Sequence, residues 1–245
     1  MQPTAHLDSF CRDNLPPRQF WPEFIFALPE LQYPARLNCI TEFLDRWVAQ
    51  GRGDHACLVS PTETLTYREL QARVNRIANV LTHRLGLKPG GRVLLRSANN
   101  AMMVAAYFAV IKAGGVVVAT MPLLRAKELT EILQKARISH ALCDKRLEAE
   151  LKLAQAACPA LREIRYWYAD EADSLDSLCE RHSGEFKTLD THAEDVALIA
   201  FTSGTTGKPK GTVHFHRDVV AMCDCFPRSC LKPSPDDIFI GSPPL

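Results

Sequence analysis

The chain has almost no excess charge that would attract a polyanion. Lysine and arginine together number 29, aspartate and glutamate number 28, and the formal net charge is +1 over 245 residues. Proteins that bind nucleic acid or an anionic membrane through electrostatics usually carry a basic excess or a basic patch. We therefore expect no nucleic-acid partner, and any anion must be bound by a local group of residues.

Features of a secreted protein are also scarce. The sequence contains no Asn-x-Ser/Thr glycosylation site, and residues 1–17 are polar and interrupted by proline, unlike the apolar core of a signal peptide. Nine cysteines, an odd number, are scattered from Cys11 to Cys230. This pattern favours reduced thiols rather than a disulfide framework, so we expect a cytoplasmic protein.

No apolar run is long enough to cross a membrane without interruption. Residues 101–124 are nearly all apolar and would reach across a bilayer as one helix. Lys112, the pair Gly114-Gly115 and Pro122 interrupt the run. The pattern instead predicts a helix over 100–112, a glycine stop and a buried strand at 116–119, and no membrane span.

Hydrophobic periodicity predicts an α/β fold. Thr66 and Glu69 have the spacing of a capping box, which predicts a helix that begins after Thr66 and stops before Gly86. Apolar runs and amphipathic segments then alternate, and such alternation is typical of a mostly parallel sheet flanked by helices. The predicted strands are 55–59 and 63–66 as a hairpin, then 92–96, 116–119, 140–143, 164–168, 196–201, 212–216 and 237–240; the predicted helices include 38–48, 100–112, 127–136 and 147–157.

The first residues differ in composition from the rest. Residues 1–34 contain six prolines, with several aromatic residues among them. Proline prevents long helices, whereas the aromatic rings can pack against a neighbouring domain. The sequence therefore predicts an N-terminal Pro/aromatic segment at 1–37 that packs on a main domain at 38–245.

The stretch Thr202–Gly211 has the composition of a phosphate-binding loop. It holds four hydroxyl side chains, three glycines and two lysines. Glycines allow several backbone N–H groups to converge, hydroxyls add donors, and lysine adds positive charge. The apolar runs on both sides predict that the loop connects two strands; the alternative is a flexible linker.

The better-known phosphate motifs do not match. Only Thr205 and Thr206 separate Gly204 from Gly207, and Pro209 follows Lys208, so the P-loop spacing is absent. A Gly-x-Gly-x-x-Ala spacing at 51–56 follows a predicted helix rather than a strand, which excludes a dinucleotide fingerprint.

Other candidate ligands have an ordinary structural alternative. His214 and His216 alternate on the strand predicted at 212–216 and would share one face beside the loop. With the nearby thiols they could bind a metal, although the spacing is not that of a structural zinc site. Arg125 and Lys127 could assist an anion, or simply begin a solvated helix. The thiols in question are Cys223, Cys225 and Cys230.

Thr202–Gly211 closely resembles the phosphate-binding signature of the adenylate-forming (AMP-binding) enzymes, which include the acyl-CoA synthetases. Two upstream stretches, 65–70 and 111–115, are similar to further motifs of that superfamily in the same order. Within it, the chain is most similar to benzoate and 2-aminobenzoate CoA ligases, through 21–26 and 121–129.

The resemblance implies a two-step reaction. A carboxylic acid, which is an aryl acid if the similarity to the benzoate-type ligases extends to the substrate, would attack ATP to form an acyl-adenylate, and the acyl group would then pass to coenzyme A. It implies that Lys210 is the catalytic lysine of the signature and that Mg²⁺ binds near Thr205 and Thr206. The residues implied to bind the ATP phosphates are Thr202, Ser203, Gly204, Thr205, Thr206, Gly207, Lys208 and Lys210.

The resemblance also implies how much of such a ligase the chain represents. It implies that the chain corresponds to the N-terminal part of the large domain of such a ligase, without the ribose-binding and C-terminal catalytic residues. We expect either a ligase part that needs those residues, or a nucleotide-binding fragment that does not turn over. A non-functional fragment with an incomplete sheet is the remaining alternative.

Overall fold

A six-stranded sheet forms the centre of the protein, which is described here from a computed structural model over residues 4–202 and 209–241. The strands, in chain order, are β1 Ala56–Val59, β2 Thr64–Thr66, β3 Arg92–Arg96, β4 Val116–Thr120, β5 His140–Asp144, β6 Glu163–Trp167, β7 Val196–Thr202 and β8 Lys210–Phe215. The large sheet has the order β6-β5-β3-β4-β7-β8, in which β8 is antiparallel to β7 and the other neighbours are parallel. The predicted mostly parallel sheet is confirmed.

Helices connect the strands and cover both faces of the sheet. They are α1 Phe10–Asp13, α2 Tyr67–Asn79, α3 Ala101–Lys112, α4 Ala126–Lys135, α5 Glu148–Ala156, α6 Leu175–Glu180 and α7 His216–Asp224, with shorter helical turns that include Thr41–Asp45 and Val48–Arg52. The predicted capping box of α2 is present. The Glu69 N–H donates to Thr66 Oγ1 at 3.2 Å, and the Thr66 N–H donates to Glu69 Oε2 at 2.8 Å.

Alternating side chains of the sheet divide the core into two halves. On β3, Val93 and Leu95 pack with residues of α2 and α3, whereas Leu94 packs with residues of α4 and α5 on the opposite face. All three side chains are fully buried. Burial of each contributes roughly 2 kcal/mol, so both faces stabilise the central strand.

The long apolar stretch folds as the sequence predicted. Asn100 caps α3, where its Oδ1 accepts from the Met103 N–H at 2.8 Å, and the helix ends before Gly114, whose φ is +76°. The following residues form β4 in the middle of the sheet. Among the described residues, no helix combines the length and apolarity that a membrane span requires.

The N-terminal residues lie along the main domain. The backbone N–H groups of Leu7 and Asp8 both donate to the Pro89 carbonyl. The Asp8 carboxylate forms an ion pair with Arg92 at 2.6 Å, and further along the Trp21 ring packs on Phe215 at 5.5 Å between centroids. Packing of these residues on the body is therefore observed, whereas the division between residues 37 and 38 stays a prediction.

The strand predicted at 237–240 is not formed. Ile238, Phe239 and Ile240 have irregular backbone and are 81%, 67% and 93% exposed. A β-strand requires a hydrogen-bonded neighbour, and no described strand pairs with these residues. Apolar composition alone was therefore a misleading signal here.

Candidate functional site

The candidate phosphate loop connects the two last strands of the sheet. Thr202 at the end of β7 lies directly opposite Lys210 at the start of β8, and Phe201 lies opposite Gly211. Both Thr202 and Lys210 are exposed. The predicted position of the loop between two strands is thus confirmed. Six of the predicted ligands lie outside the described residues, namely Ser203, Gly204, Thr205, Thr206, Gly207 and Lys208.

The strand order places the two ends of this loop at the edge of the sheet where the parallel strands end, and the direction of the crossover connections reverses near this point. Because β7 runs parallel to β4, Thr202 and Thr120 end their strands at the same edge. From β3 the chain crosses to β4 on one side, whereas from β4 it crosses back to β5 on the other side of β3. Ligands of open α/β sheets bind at such a reversal, outside the carboxyl ends of the strands.

Close packing between β7 and β8 explains why a glycine occupies position 211. A Cβ atom at this position would come within 2.8 Å of Ile199 Cγ2 and 3.4 Å of the Phe201 ring. Both neighbours lie on β7, the strand that pairs with the first residues of β8. The last glycine of the signature therefore lets the two strands approach closely, whatever the loop binds.

Arg96 holds the segment after β4 in place beside the candidate site. Its side chain is 1% exposed, and its guanidinium donates to the carbonyls of Met121, Pro122 and Leu124 at 3.1, 2.9 and 2.8 Å. Burial lowers the pKa of Arg96 from its ordinary value. No sequence motif contains this residue, although an arginine inside a buried strand pattern is itself a signal, because arginine is rarely buried without partners.

An apolar cavity of about 210 Å³ lies between β4, β7 and α3, next to the edge that carries the loop. Among the described lining residues, Tyr107 alone carries a hydroxyl group, and burial raises the pKa of this phenol to about 12. The hydroxyl therefore stays protonated at neutral pH and remains a hydrogen-bond donor. The lining residues are Tyr107, Val117, Ala119, Met121, Leu198, Ile199, Ala200 and Phe201.

The prediction that His214 and His216 share a strand face is wrong. His214 lies on β8, but His216 is the first residue of α7 and is fully buried. The chain turns into the helix here because Asp218 Oδ2 accepts the Phe215 N–H at 3.0 Å. His216 Nδ1 accepts the Cys39 N–H at 3.2 Å, and burial lowers the pKa of His216 to about 3. His216 is thus a neutral structural side chain.

The remaining candidate ligands have structural surroundings. Arg125 forms an exposed ion pair with Glu150 at 3.1 Å, which joins α4 to α5, and Lys127 is exposed. Cys223, Cys225 and Cys230 are exposed free thiols. Within residues 4–202 and 209–241, no three histidine, cysteine or acidic side chains come together as metal ligands.

Lys112, in the upstream stretch 111–115, is buried and belongs to a polar cluster around Asp45. Lys112 is 1% exposed, and its ammonium donates to Asp45 Oδ1 at 2.6 Å. Gln71 also donates to Asp45 Oδ1 at 2.8 Å, and Thr188 donates to Oδ2 at 2.6 Å. The carboxylate therefore joins four separate segments of the chain. Nothing local in the sequence indicated this set, because its members are far apart along the chain.

Comparison with known proteins agrees with this geometry. The AMP-binding enzyme family matches residues 44–245, which is most of the chain. The chain belongs to the AMP-binding enzyme family. Among curated relatives, benzoate–CoA ligase of Thauera aromatica is 28% identical over 217 residues, and 4-hydroxybenzoate–CoA/benzoate–CoA ligase of Rhodopseudomonas palustris is 30% identical over 190 residues. The resemblance to benzoate-type ligases seen in the sequence is thereby confirmed.

Solved AMP-binding structures share the fold. The anthranilate CoA ligase AuaEII in complex with anthranoyl-AMP superposes with a TM-score of 0.77 at 22% identity, over 82% of this chain and 39% of that one. ATP-bound MatB from Rhodopseudomonas palustris superposes with a TM-score of 0.69 at 26% identity, over 78% of this chain and 37% of that one.

The matches cover only part of each relative. The two curated ligases are matched over 89% and 76% of this chain, but over only 41% and 35% of their own length. The chain thus spans about two fifths of the length of these AMP-binding relatives.

Proposed function

We propose that this chain supplies the phosphate-binding part of an ATP-dependent acid–CoA ligase, which activates a carboxylic acid as an acyl-adenylate and passes the acyl group to coenzyme A. The observation that supports this most directly is the signature Thr202–Gly211, in which Thr202 lies opposite Lys210 at the edge of the sheet where β7 ends. Membership of the AMP-binding family and the benzoate-type relatives support the reaction class.

The proposed chemistry needs a site for negative charge. When a carboxylate attacks the α-phosphorus of ATP, charge accumulates on the departing pyrophosphate. Lys210 would neutralise part of that charge, and the Thr202 hydroxyl would donate a hydrogen bond to a phosphate oxygen. Ser203, Gly204, Thr205, Thr206, Gly207 and Lys208 would complete the phosphate contacts by virtue of their place in the same signature.

Magnesium fits the donor set of the signature. Mg²⁺ prefers oxygen ligands and keeps several waters, so it is bound mainly through substrate phosphates with few protein groups. The hydroxyls of Thr205 and Thr206 are oxygen donors of this kind, and no described cluster of acidic residues competes as an all-protein metal cage. The ion, when bound, would neutralise phosphate charge.

We propose an aryl acid as the substrate class. The cavity between β4 and β7 combines apolar walls with the neutral Tyr107 hydroxyl, and such a lining suits an aromatic ring that carries a polar substituent. The named substrates of the curated relatives, benzoate and hydroxybenzoate, are of this class.

An ATP–pyrophosphate exchange assay on the full chain tests the reaction directly. Benzoate, 2-aminobenzoate, 4-hydroxybenzoate and a non-aromatic acid would be compared, with Lys210→Ala as the variant and Lys127→Ala as the matched control. We expect exchange with at least one aryl acid, a loss of at least tenfold in Lys210→Ala, and no loss in the control. Absence of exchange with every acid would contradict turnover by this chain.

Nucleotide binding without turnover is the second candidate. The observation in its favour is the coverage, since about three fifths of the relatives' length has no counterpart in these 245 residues. Calorimetric titration with Mg-ATP separates the two candidates: heat of binding that Lys210→Ala abolishes, without exchange activity, would support binding alone. No detectable heat at millimolar nucleotide would contradict both.

We also propose a cytoplasmic location. All nine cysteines are free thiols, and three of them are exposed near α7. Exposed thiols at close spacing persist in a reducing compartment and tend to oxidise elsewhere.

A further inference from the structure

Lys135, the last residue of α4, makes a contact that the proposed reaction does not explain. Its Nζ donates to the carbonyl oxygen of Pro209 at 2.7 Å, a length typical of a charge-assisted hydrogen bond. Pro209 immediately precedes Lys210, where β8 begins. The contact, which is exposed to solvent, therefore links the end of α4 to the backbone one residue before the proposed catalytic lysine.

The helix that carries Lys135 is a firm support. Leu129, Ile132 and Leu133 of α4 are buried against one face of the sheet. Lys135 lies in the last turn of α4, close to these buried residues. The packing of the helix therefore fixes the position of the Lys135 Cα atom. A side chain anchored on a packed helix can hold a strand end more precisely than one anchored on a loop.

The ammonium group bonds to Pro209 although another partner is available nearby. Glu131 lies one helical turn before Lys135, at the spacing that ordinarily forms an ion pair along a helix. Glu131, Gln134, Lys135 and Pro209 together line an open depression of about 510 Å³. Among the described ion pairs, none joins Lys135 to Glu131. The Lys135 ammonium instead donates to the Pro209 carbonyl at the strand end.

We propose that Lys135 is a positioning residue for phosphate binding, which acts from α4 through the Pro209 carbonyl to set the backbone at Lys210. This inference rests on the proposed function, because the anion that Lys210 would bind is the polyphosphate of ATP. Lys135 itself touches the backbone of β8 and is assigned no contact with substrate.

Hydrogen exchange without nucleotide tests the anchor itself. Lys135→Met removes the ammonium and keeps the aliphatic stem, Lys135→Arg keeps a donor, and Lys127→Met is the control at the other end of the same helix. We expect exchange of the amides at 210–212 to accelerate about fivefold in Lys135→Met, the change expected for one lost hydrogen bond. Exchange should return toward the wild-type rate in Lys135→Arg and stay unchanged in the control. Equal exchange in all four proteins would overturn the proposal.

Titration of the same proteins with Mg-ATP then tests the positioning role. We expect the Kd to rise about fivefold in Lys135→Met, with rescue in Lys135→Arg and no change in Lys127→Met. Faster exchange with an unaltered Kd would overturn the positioning role and leave a purely structural contact. No binding by the wild type would contradict the proposed function instead, while the exchange measurement would still decide whether the anchor exists.

Discussion

Two lysine-and-glycine motifs of this chain have opposite surroundings. Lys112, in the stretch 111–115, is 1% exposed and held by the Asp45 carboxylate, whereas Lys210, in the stretch 202–211, is exposed at the edge of the sheet. A buried ammonium must be paired to be tolerated, so removal of its partner carboxylate destabilises the fold. An exposed ammonium at a strand end can bind an anion from solution. Similar composition thus supports folding in one motif, whereas the proposed function assigns anion binding to the other.

Removal of Asp45 should produce the largest effect, because it leaves the Lys112 ammonium buried without its carboxylate. We expect Asp45→Ala to lower the free energy of unfolding by about 3 kcal/mol, as measured by urea denaturation. Asp54→Ala breaks only an exposed ion pair with Arg68 and is the matched control. A change in Asp45→Ala as small as that of the control would show that the Lys112 motif is not the structural one.

Mild acid should produce the next largest effect, through the buried histidine that follows β8. His216 follows β8 directly and accepts the Cys39 N–H, close to the helical turn that carries Asp45. Burial lowers the pKa of His216 to about 3, so the unfolded chain, with a histidine pKa near 6.5, takes up a proton before the folded chain does. Stability is therefore lost as pH falls below about 6.5.

Between pH 7 and pH 5 this histidine should contribute a loss of about 2 kcal/mol. Urea denaturation at the two pH values measures it. His216→Asn keeps an acceptor for the Cys39 N–H and removes the titrating group, so its loss should be smaller by that amount. His83→Asn, at an exposed position, serves as the control. Identical pH profiles for His216→Asn and wild type would contradict the assignment.

A methyl group at Gly211 should have an intermediate effect. Gly211→Ala brings a carbon atom within 2.8 Å of Ile199 Cγ2, and the side chain must shift to admit it. We expect a loss of about 1 kcal/mol in unfolding free energy, measured by thermal or urea denaturation. The double variant Gly211→Ala/Ile199→Leu lacks the Cγ2 methyl group at position 199, which removes that conflict, and should recover some of the loss when it is compared with Ile199→Leu alone. No recovery would indicate a backbone cause rather than side-chain crowding.

Removal of the Lys210 ammonium should have the smallest effect on folding. Because the side chain is exposed, we expect Lys210→Ala to leave the urea midpoint unchanged while it abolishes any binding of Mg-ATP. Circular dichroism and calorimetry on the same sample measure the two properties together. A clear loss of stability in Lys210→Ala would remove the contrast between the two lysines.

Local patterns predicted most of the sheet, because strands and caps are encoded over a few residues. The predicted bounds 92–96 agree with β3, and the capping box at Thr66 begins α2 as expected. The end of β8 was missed although the signal was local, since Asp218 three residues beyond Phe215 marks a helix start.

Long-range partners could not be predicted in the same way. Lys112 and Asp45 are 67 positions apart, and the carbonyls that surround Arg96 belong to another segment of the chain. Only the folded arrangement brings such groups together, so no window of sequence contains the information. The same reason hides Lys135, which lies 74 positions from the carbonyl that it bonds.

The pairing of β7 with β8 also limits how this region can change in evolution. Ile199 and Phe201 pack on one face of the sheet, and Leu198 and Ala200 lie toward the other. One residue inserted into the regular pairing of either strand would move the following side chains to the opposite face of the sheet and shift Thr202 out of register with Lys210. Two inserted residues would preserve the alternation of side chains. The register of this hairpin already shifts by one residue between Val196 and Leu198, so viable single-residue changes should occur as bulges, and changes within the regular pairing should occur in steps of two.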